Sequence, residues 1–177
     1  MNVTVRNRSR WSDESVQTLV DFLLPCYADA PFPVQLTFFD GKCLGAYGRA
    51  HHPRRYDRRG IKKGVVQVYV RIGQVRETYP YACTYKKSSG AAVYNNQVEE
   101  VLHVTAHELR HVEQYAAAWH AGLDQADRGL LMKMRFSAWF RRYERNAFRR
   151  GSCEVDAEDL AHKMLDAYRY MLERRVA

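Results

Sequence analysis

With 177 residues and four cysteines that form no CxxC pair, the chain is most simply one domain, residues 1–177, which buries a core without a disulfide framework or a zinc ribbon. Its net charge of +8, from 28 Lys and Arg against 20 Asp and Glu, admits phosphates, nucleic acid or acidic proteins as partners. No apolar run reaches membrane-spanning length and residues 1–10 contain no apolar signal segment, so we expect no membrane partner and a cytoplasmic location.

The first half of the chain predicts one helix followed by strands. Ser12 can cap a helix that runs to about Leu24, and Pro25 ends it. The dipeptide Asp40-Gly41 is a strong hairpin signal between two apolar runs, so the sheet is expected to be small and mostly antiparallel. The predicted strands are Val34–Phe39, Lys42–Tyr47, Gly64–Ile72 and Tyr79–Tyr85.

An HExxH motif, His107-Glu108-Leu109-Arg110-His111, lies in a helix predicted from about Asn96 to about His120. Because its two histidines are about one helical turn apart, both rings project from one face and can share a zinc ion. Glu108 can then act as general base on a water that the zinc activates. His103 lies one turn earlier on that face, but three ligands in a straight row cannot surround a tetrahedral ion, so we expect it to be a neighbour of the site or an exposed residue.

A catalytic zinc of this kind needs a third protein ligand and one open position. The metzincin pattern fails, because Gln114 and Ala117 stand where it requires Gly and His. A second helix is predicted at 152–175, and Glu154 falls at the start of its apolar side, where a carboxylate needs a partner such as a metal ion. The residues alone leave open that Glu154 only favours the helix N-terminus.

The HELRH segment and the later CEVDAEDLA segment, residues 153–161, together resemble the gluzincin metallopeptidases. Their short spacing is most similar to the minigluzincins and the SprT-like peptidases. The resemblance implies that His107, His111 and Glu154 bind zinc and that Glu158 orients His107 from behind. Many relatives have Asp in that last position, and Asp159 is adjacent to Glu158.

The resemblance implies an α+β, zincin-like fold. An N-terminal helix and a small, mostly antiparallel sheet precede the HExxH helix, and two further helices, near 132–143 and 152–175, follow. Zincins pair an extended substrate with an edge strand near the metal helix, which here would be Gly64–Ile72 or Tyr79–Tyr85. The expected function is a zinc endopeptidase acting on proteins or peptides, and Tyr143 and Tyr168 are candidates for oxyanion stabilisation by residue type alone.

A rival hypothesis starts from two clusters of Arg and Lys, at 49–63 and 135–150. Such clusters can bind nucleic acid, although they are also common on solvated faces. The alternative function is therefore a nucleic-acid-associated protein with a zinc site, including a DNA-linked protease of the SprT-like kind.

Overall fold

The computed structural model describes residues 1–40, 48–51, 65–72, 79–82, 92–120 and 152–176. These residues confirm a mixed protein of helices and strands, whereas the predicted strand 42–47 and the predicted helix near 132–143 lie outside them. The elements in chain order are β1 (Val3–Arg8), α1 (Asp13–Leu23), a 3-10 turn (Leu24–Cys26), β2 (Val34–Asp40), β3 (Gly48–His51), β4 (Val66–Ile72), β5 (Tyr81–Ala82), β6 (Val93–Tyr94), α2 (Gln97–His120) and α3 (Ser152–Val176).

Helix α1 begins and ends as its sequence predicts. The Ser12 hydroxyl accepts a hydrogen bond from the backbone N–H of Ser15 at 3.1 Å, which satisfies one of the exposed donors of the first turn. Pro25 lies in the 3-10 turn that follows the helix. The buried side consists of Val16, Leu19, Val20 and Leu23.

Strands β1 to β4 form a four-stranded sheet in the order β1-β2-β4-β3. β1 pairs parallel with β2, β2 pairs parallel with β4, and β3 pairs antiparallel with β4. β5 and β6 form a separate two-stranded antiparallel ribbon. The prediction of a mostly antiparallel sheet is therefore wrong.

The prediction failed because it paired strands that are neighbours in the sequence. The turn signal at Asp40-Gly41 favours a hairpin, but β1 and β4 occupy both edges of β2. β1 was missed, although Val3 and Val5 alternate with polar residues. It reaches β2 through α1, and a crossover through a helix permits parallel pairing. The predicted strand that ends at Ile72 is confirmed as β4.

Helix α2 packs against the sheet, and α3 packs on α2. α2 packs against β3 and β4, and its residues Leu102 and Leu109 are fully buried in the core. α3 packs along α2 through Ala157 and Ala161, both fully buried, and small side chains at a helix contact let the two axes approach closely. No helix within the described ranges is long and apolar enough to cross a membrane.

Candidate metal centre

Two polar clamps fix α3 antiparallel to α2. Near the start of α2, Arg169 donates hydrogen bonds to the Glu99 carboxylate at 2.5 and 3.2 Å. Further along α2, Arg110 donates hydrogen bonds to Asp156 of α3 at 2.7 and 3.0 Å, and Gln114 donates one at 2.8 Å. Hydrogen bonding from Arg110 holds the pKa of Asp156 below its ordinary value. These clamps place the first turn of α3 opposite the HExxH motif.

Glu99 also stabilises the start of α2. Its backbone N–H donates to the Asn96 side chain at 3.0 Å, and its carboxylate accepts from the Asn95 backbone N–H at 2.7 Å, so donors at this helix end are satisfied. Burial by itself would raise the pKa of Glu99. The hydrogen bonds from Arg169 and Asn95 outweigh burial and hold that pKa below its ordinary value.

The HExxH triad, defined as His107, His111 and Glu154, is brought together at the junction of the two helices. The Nε2 atoms of His107 and His111 lie 3.2 Å apart. Oε2 of Glu154 lies 3.4 Å from Nε2 of His107, and Oε1 of Glu154 lies 3.5 Å from Nε2 of His111. Ligands about 2.0–2.1 Å from a tetrahedral zinc ion are separated by about 3.3 Å, so these separations are compatible with one such ion between the three side chains.

Hydrogen bonds behind the histidines determine which ring nitrogen faces the centre of the triad. Gln114 donates its amide N–H to Asp156, so its carbonyl oxygen faces Nδ1 of His111 at 2.8 Å and accepts a hydrogen bond from the Nδ1–H group. Nδ1 of His107 lies 3.2 Å from the Glu158 carboxylate, which accepts in the same way. In their neutral forms, both rings therefore direct bare Nε2 lone pairs at each other and at Glu154. A proton on one ring or a metal ion between these atoms would offset their repulsion.

The exposure of the triad is suited to a reactive site rather than a sealed one. The His111 side chain is 7% exposed, whereas those of His107 and Glu154 are 17% and 23% exposed. The His107 and Glu154 side chains are therefore only partly buried, and a catalytic metal site differs from a closed structural one in keeping an open position.

Glu108, the expected general base, is 8% exposed and packs against strand β3. The contact depends on Gly48. A Cβ atom at that position would lie 2.6 Å from Cγ of Glu108, 2.7 Å from Cγ1 of Val104 and 2.8 Å from Oε1 of Glu108. Because ordinary carbon contacts are about 3.5–4.0 Å, a glycine is required for β3 to approach the motif this closely.

Among the strands that the structure describes, the one at the edge beside the motif is β3, whereas the sequence interpretation chose other strands. Gly64–Ile72 contains β4, which pairs with β2 on one side and β3 on the other, so an added peptide strand cannot pair with it. The described part of Tyr79–Tyr85 is β5, which pairs with β6 outside the main sheet. The hydrophobic pattern of β4 indicates that the strand is buried but does not indicate whether it lies at an edge, which explains why Gly64–Ile72 was wrongly chosen.

Glu158 has contacts on two sides. Its Oε2 faces Nδ1 of His107, and its Oε1 lies 2.9 Å from Nε2 of His103 and 3.6 Å from Nε2 of His162. Nδ1 of His103 lies 3.2 Å from the Tyr94 hydroxyl. His103 is thus a neighbour of the HExxH triad and not part of it, as expected. His162 and Tyr94 were missed, although His162 follows Glu158 by four residues, the spacing that puts two side chains on one helix face.

Other predicted site features are elsewhere or outside the described residues. Tyr168 packs against Phe22 with ring centroids 5.4 Å apart, and it follows Glu154 on α3 by 14 residues, about 21 Å of helix. It is therefore not brought to the triad. Tyr143, the basic cluster at 135–150 and most of the cluster at 49–63 lie outside the described residues.

Comparisons with known proteins return no match to a family model, a curated protein or a solved structure. The gluzincin resemblance therefore depends on the two quoted segments and stays a prediction. The functional argument depends on the chemistry of the site.

Proposed function

We propose that the protein is a zinc-dependent metallopeptidase of the gluzincin type that cleaves internal peptide bonds. The observation that best supports this is the convergence of two imidazoles and one carboxylate. The two histidine Nε2 atoms are 3.2 Å apart, the Glu154 oxygens lie 3.4 and 3.5 Å from them, and both histidine Nδ1 atoms face acceptors. Two imidazoles and one carboxylate form a donor set typical of catalytic zinc.

The residues around the metal have distinct roles in this proposal. Zinc, when bound, would acidify a water molecule and polarise the scissile carbonyl. The Glu108 carboxylate would take up a proton from the attacking water and later deliver it to the leaving amine. Glu158 and Gln114 accept hydrogen bonds from the Nδ1–H groups of His107 and His111, which keeps each Nε2 available as a ligand.

Strand β3 offers a means of holding the substrate. Among the described strands it forms the edge of the sheet next to α2, and its Gly48 contacts Glu108. An extended peptide could add to this edge through main-chain hydrogen bonds and so present its backbone carbonyl to the site. Such pairing is largely independent of side chains, which fits an endopeptidase acting on unfolded or flexible segments.

A DNA-linked version of this function remains the second proposal, together with a cytoplasmic location. Its support is the net charge of +8 and the basic clusters in the sequence. A salt-sensitive gel shift of labelled DNA would favour it, and unchanged mobility at low salt would count against it.

The proposed activity is tested with fluorescently quenched casein as substrate. Wild-type protein should cleave it, lose activity with a strong chelator and regain activity with zinc. Glu108→Gln should lose hydrolysis while retaining zinc at the triad, because the amide keeps the shape of the side chain without its basicity. Glu173→Gln, an exposed change of the same type on α3, is the control and should behave as wild type. Hydrolysis by Glu108→Gln at the wild-type rate would contradict the assigned role.

A further inference from the structure

A second group of metal-binding side chains lies one helical turn from the HExxH triad. His103 on α2 and Glu158 and His162 on α3 form this second triad, whose ligand atoms all lie within 4.8 Å of one another. His103 is 3% exposed and Glu158 is 7% exposed. The proposed peptidase mechanism uses neither His103 nor His162.

The distances within the second triad fit ligands of one ion. Nε2 of His103 lies 2.9 Å from Oε1 of Glu158, and Nε2 of His162 lies 3.6 Å from the same oxygen. For ligands about 2.1 Å from a metal ion, these separations correspond to ligand–metal–ligand angles of about 90° and about 120°. A direct hydrogen bond would account for the first distance, but the second exceeds hydrogen-bond length.

The surroundings of the second triad also suit a metal. The Tyr94 hydroxyl lies 3.2 Å from Nδ1 of His103 and can accept a hydrogen bond from the Nδ1–H group, which leaves Nε2 as the ligand atom. Oε2 of Glu158 faces His107, whereas Oε1 faces His103 and His162 and is the oxygen that would bind a second ion. Both helices contribute, because α2 provides one ligand and α3 provides two.

We propose that His103, Glu158 and His162 bind a second divalent transition-metal ion, with zinc favoured by the two imidazoles and one carboxylate. The His162 side chain is 21% exposed, so a water molecule can complete the coordination from that side. The second ion would join α2 to α3 and hold Glu158 in place behind His107. Its role would be structural, because none of its three proposed ligands is the base of the proposed peptidase mechanism.

The test counts metal ions in purified full-length protein. Apoprotein is loaded with Zn²⁺, dialysed, and analysed by inductively coupled plasma mass spectrometry. Wild type should retain two equivalents, and His162→Ala and Glu154→Ala should each retain one. The double variant should retain none. Lys163→Ala, which changes the exposed neighbour of His162, is the matched control and should retain two.

A titration of wild-type apoprotein with Co²⁺ provides a count that needs no variant, in case His162→Ala does not fold. The visible d–d absorbance should rise until two equivalents have been added. Saturation at one equivalent would overturn the second site. If that single ion is lost in Glu154→Ala, the proposed peptidase centre stands and only this inference fails. If Glu154→Ala keeps the full wild-type metal content while His162→Ala loses an ion, the second site stands and the proposed zinc ligation by Glu154 fails.

Discussion

Replacing Gly48 with alanine should reduce catalysis while leaving zinc bound. The new methyl group would lie 2.6 Å from Cγ of Glu108 and 2.7 Å from Cγ1 of Val104. Ordinary contacts are about 3.5–4.0 Å, so β3 or the Glu108 side chain must move by about 1 Å. A displacement of about 1 Å at a catalytic group lowers turnover by about 100-fold, and overpacking costs about 1–3 kcal/mol of the free energy of unfolding. The three proposed zinc ligands are untouched.

The assay compares casein hydrolysis, zinc content and urea unfolding for Gly48→Ala and wild type. The double variant Gly48→Ala/Val104→Ala separates the two causes of the clash, because it removes the contact with Val104 and keeps both contacts with Glu108. We expect the double variant to recover part of the stability and little of the activity. Wild-type turnover in Gly48→Ala, or full recovery of activity in the double variant, would refute the position of Glu108 against β3.

Three further predictions concern the residues that support the site. Glu158→Ala should weaken zinc affinity at the HExxH triad by about 10- to 100-fold, measured by chelator competition, because Nδ1 of His107 loses its acceptor; unchanged affinity would contradict this. The Tyr27 hydroxyl, whose pKa is raised by burial, donates a hydrogen bond to the Ala106 carbonyl at 2.8 Å. Because Tyr27→Phe removes this hydrogen bond, it should lower the free energy of unfolding, measured in urea, by about 1 kcal/mol; an unchanged free energy would show that the bond is dispensable. Because the pKa of Asp156 is lowered by Arg110, their pairing should stabilise the fold above about pH 4 and be lost as the pH falls through that lowered value. Asp156 is 44% exposed, so Asp156→Asn should cost about 0.5 kcal/mol at neutral pH, with a deficit that shrinks in acid; a deficit independent of pH would contradict the assignment.

The helices were predictable because their signals are local. Ser12 and the apolar spacing from Val16 to Leu23 define α1, and the spacing around His107 defines α2 within about one residue of its observed start. Helical spacing also placed Glu154 and Glu158 on the side of α3 that faces α2.

The sheet was less predictable because strand pairing is set by contacts distant in sequence. The Asp40-Gly41 signal describes a turn but not which strands flank β2, and β1 pairs with β2 from about thirty residues away. The position of Gly48 against Glu108 is likewise a tertiary contact that no local pattern reveals. The same holds for Tyr94 and His162, which meet His103 only once α3 and β6 pack on α2.

The most direct test of the metal centre is a crystal structure of zinc-loaded protein with data collected on both sides of the zinc absorption edge. The account predicts an anomalous peak about 2.0–2.2 Å from Nε2 of His107, Nε2 of His111 and the Glu154 carboxylate. The absence of a peak at these three atoms, in crystals of protein shown to be loaded with zinc, would contradict it.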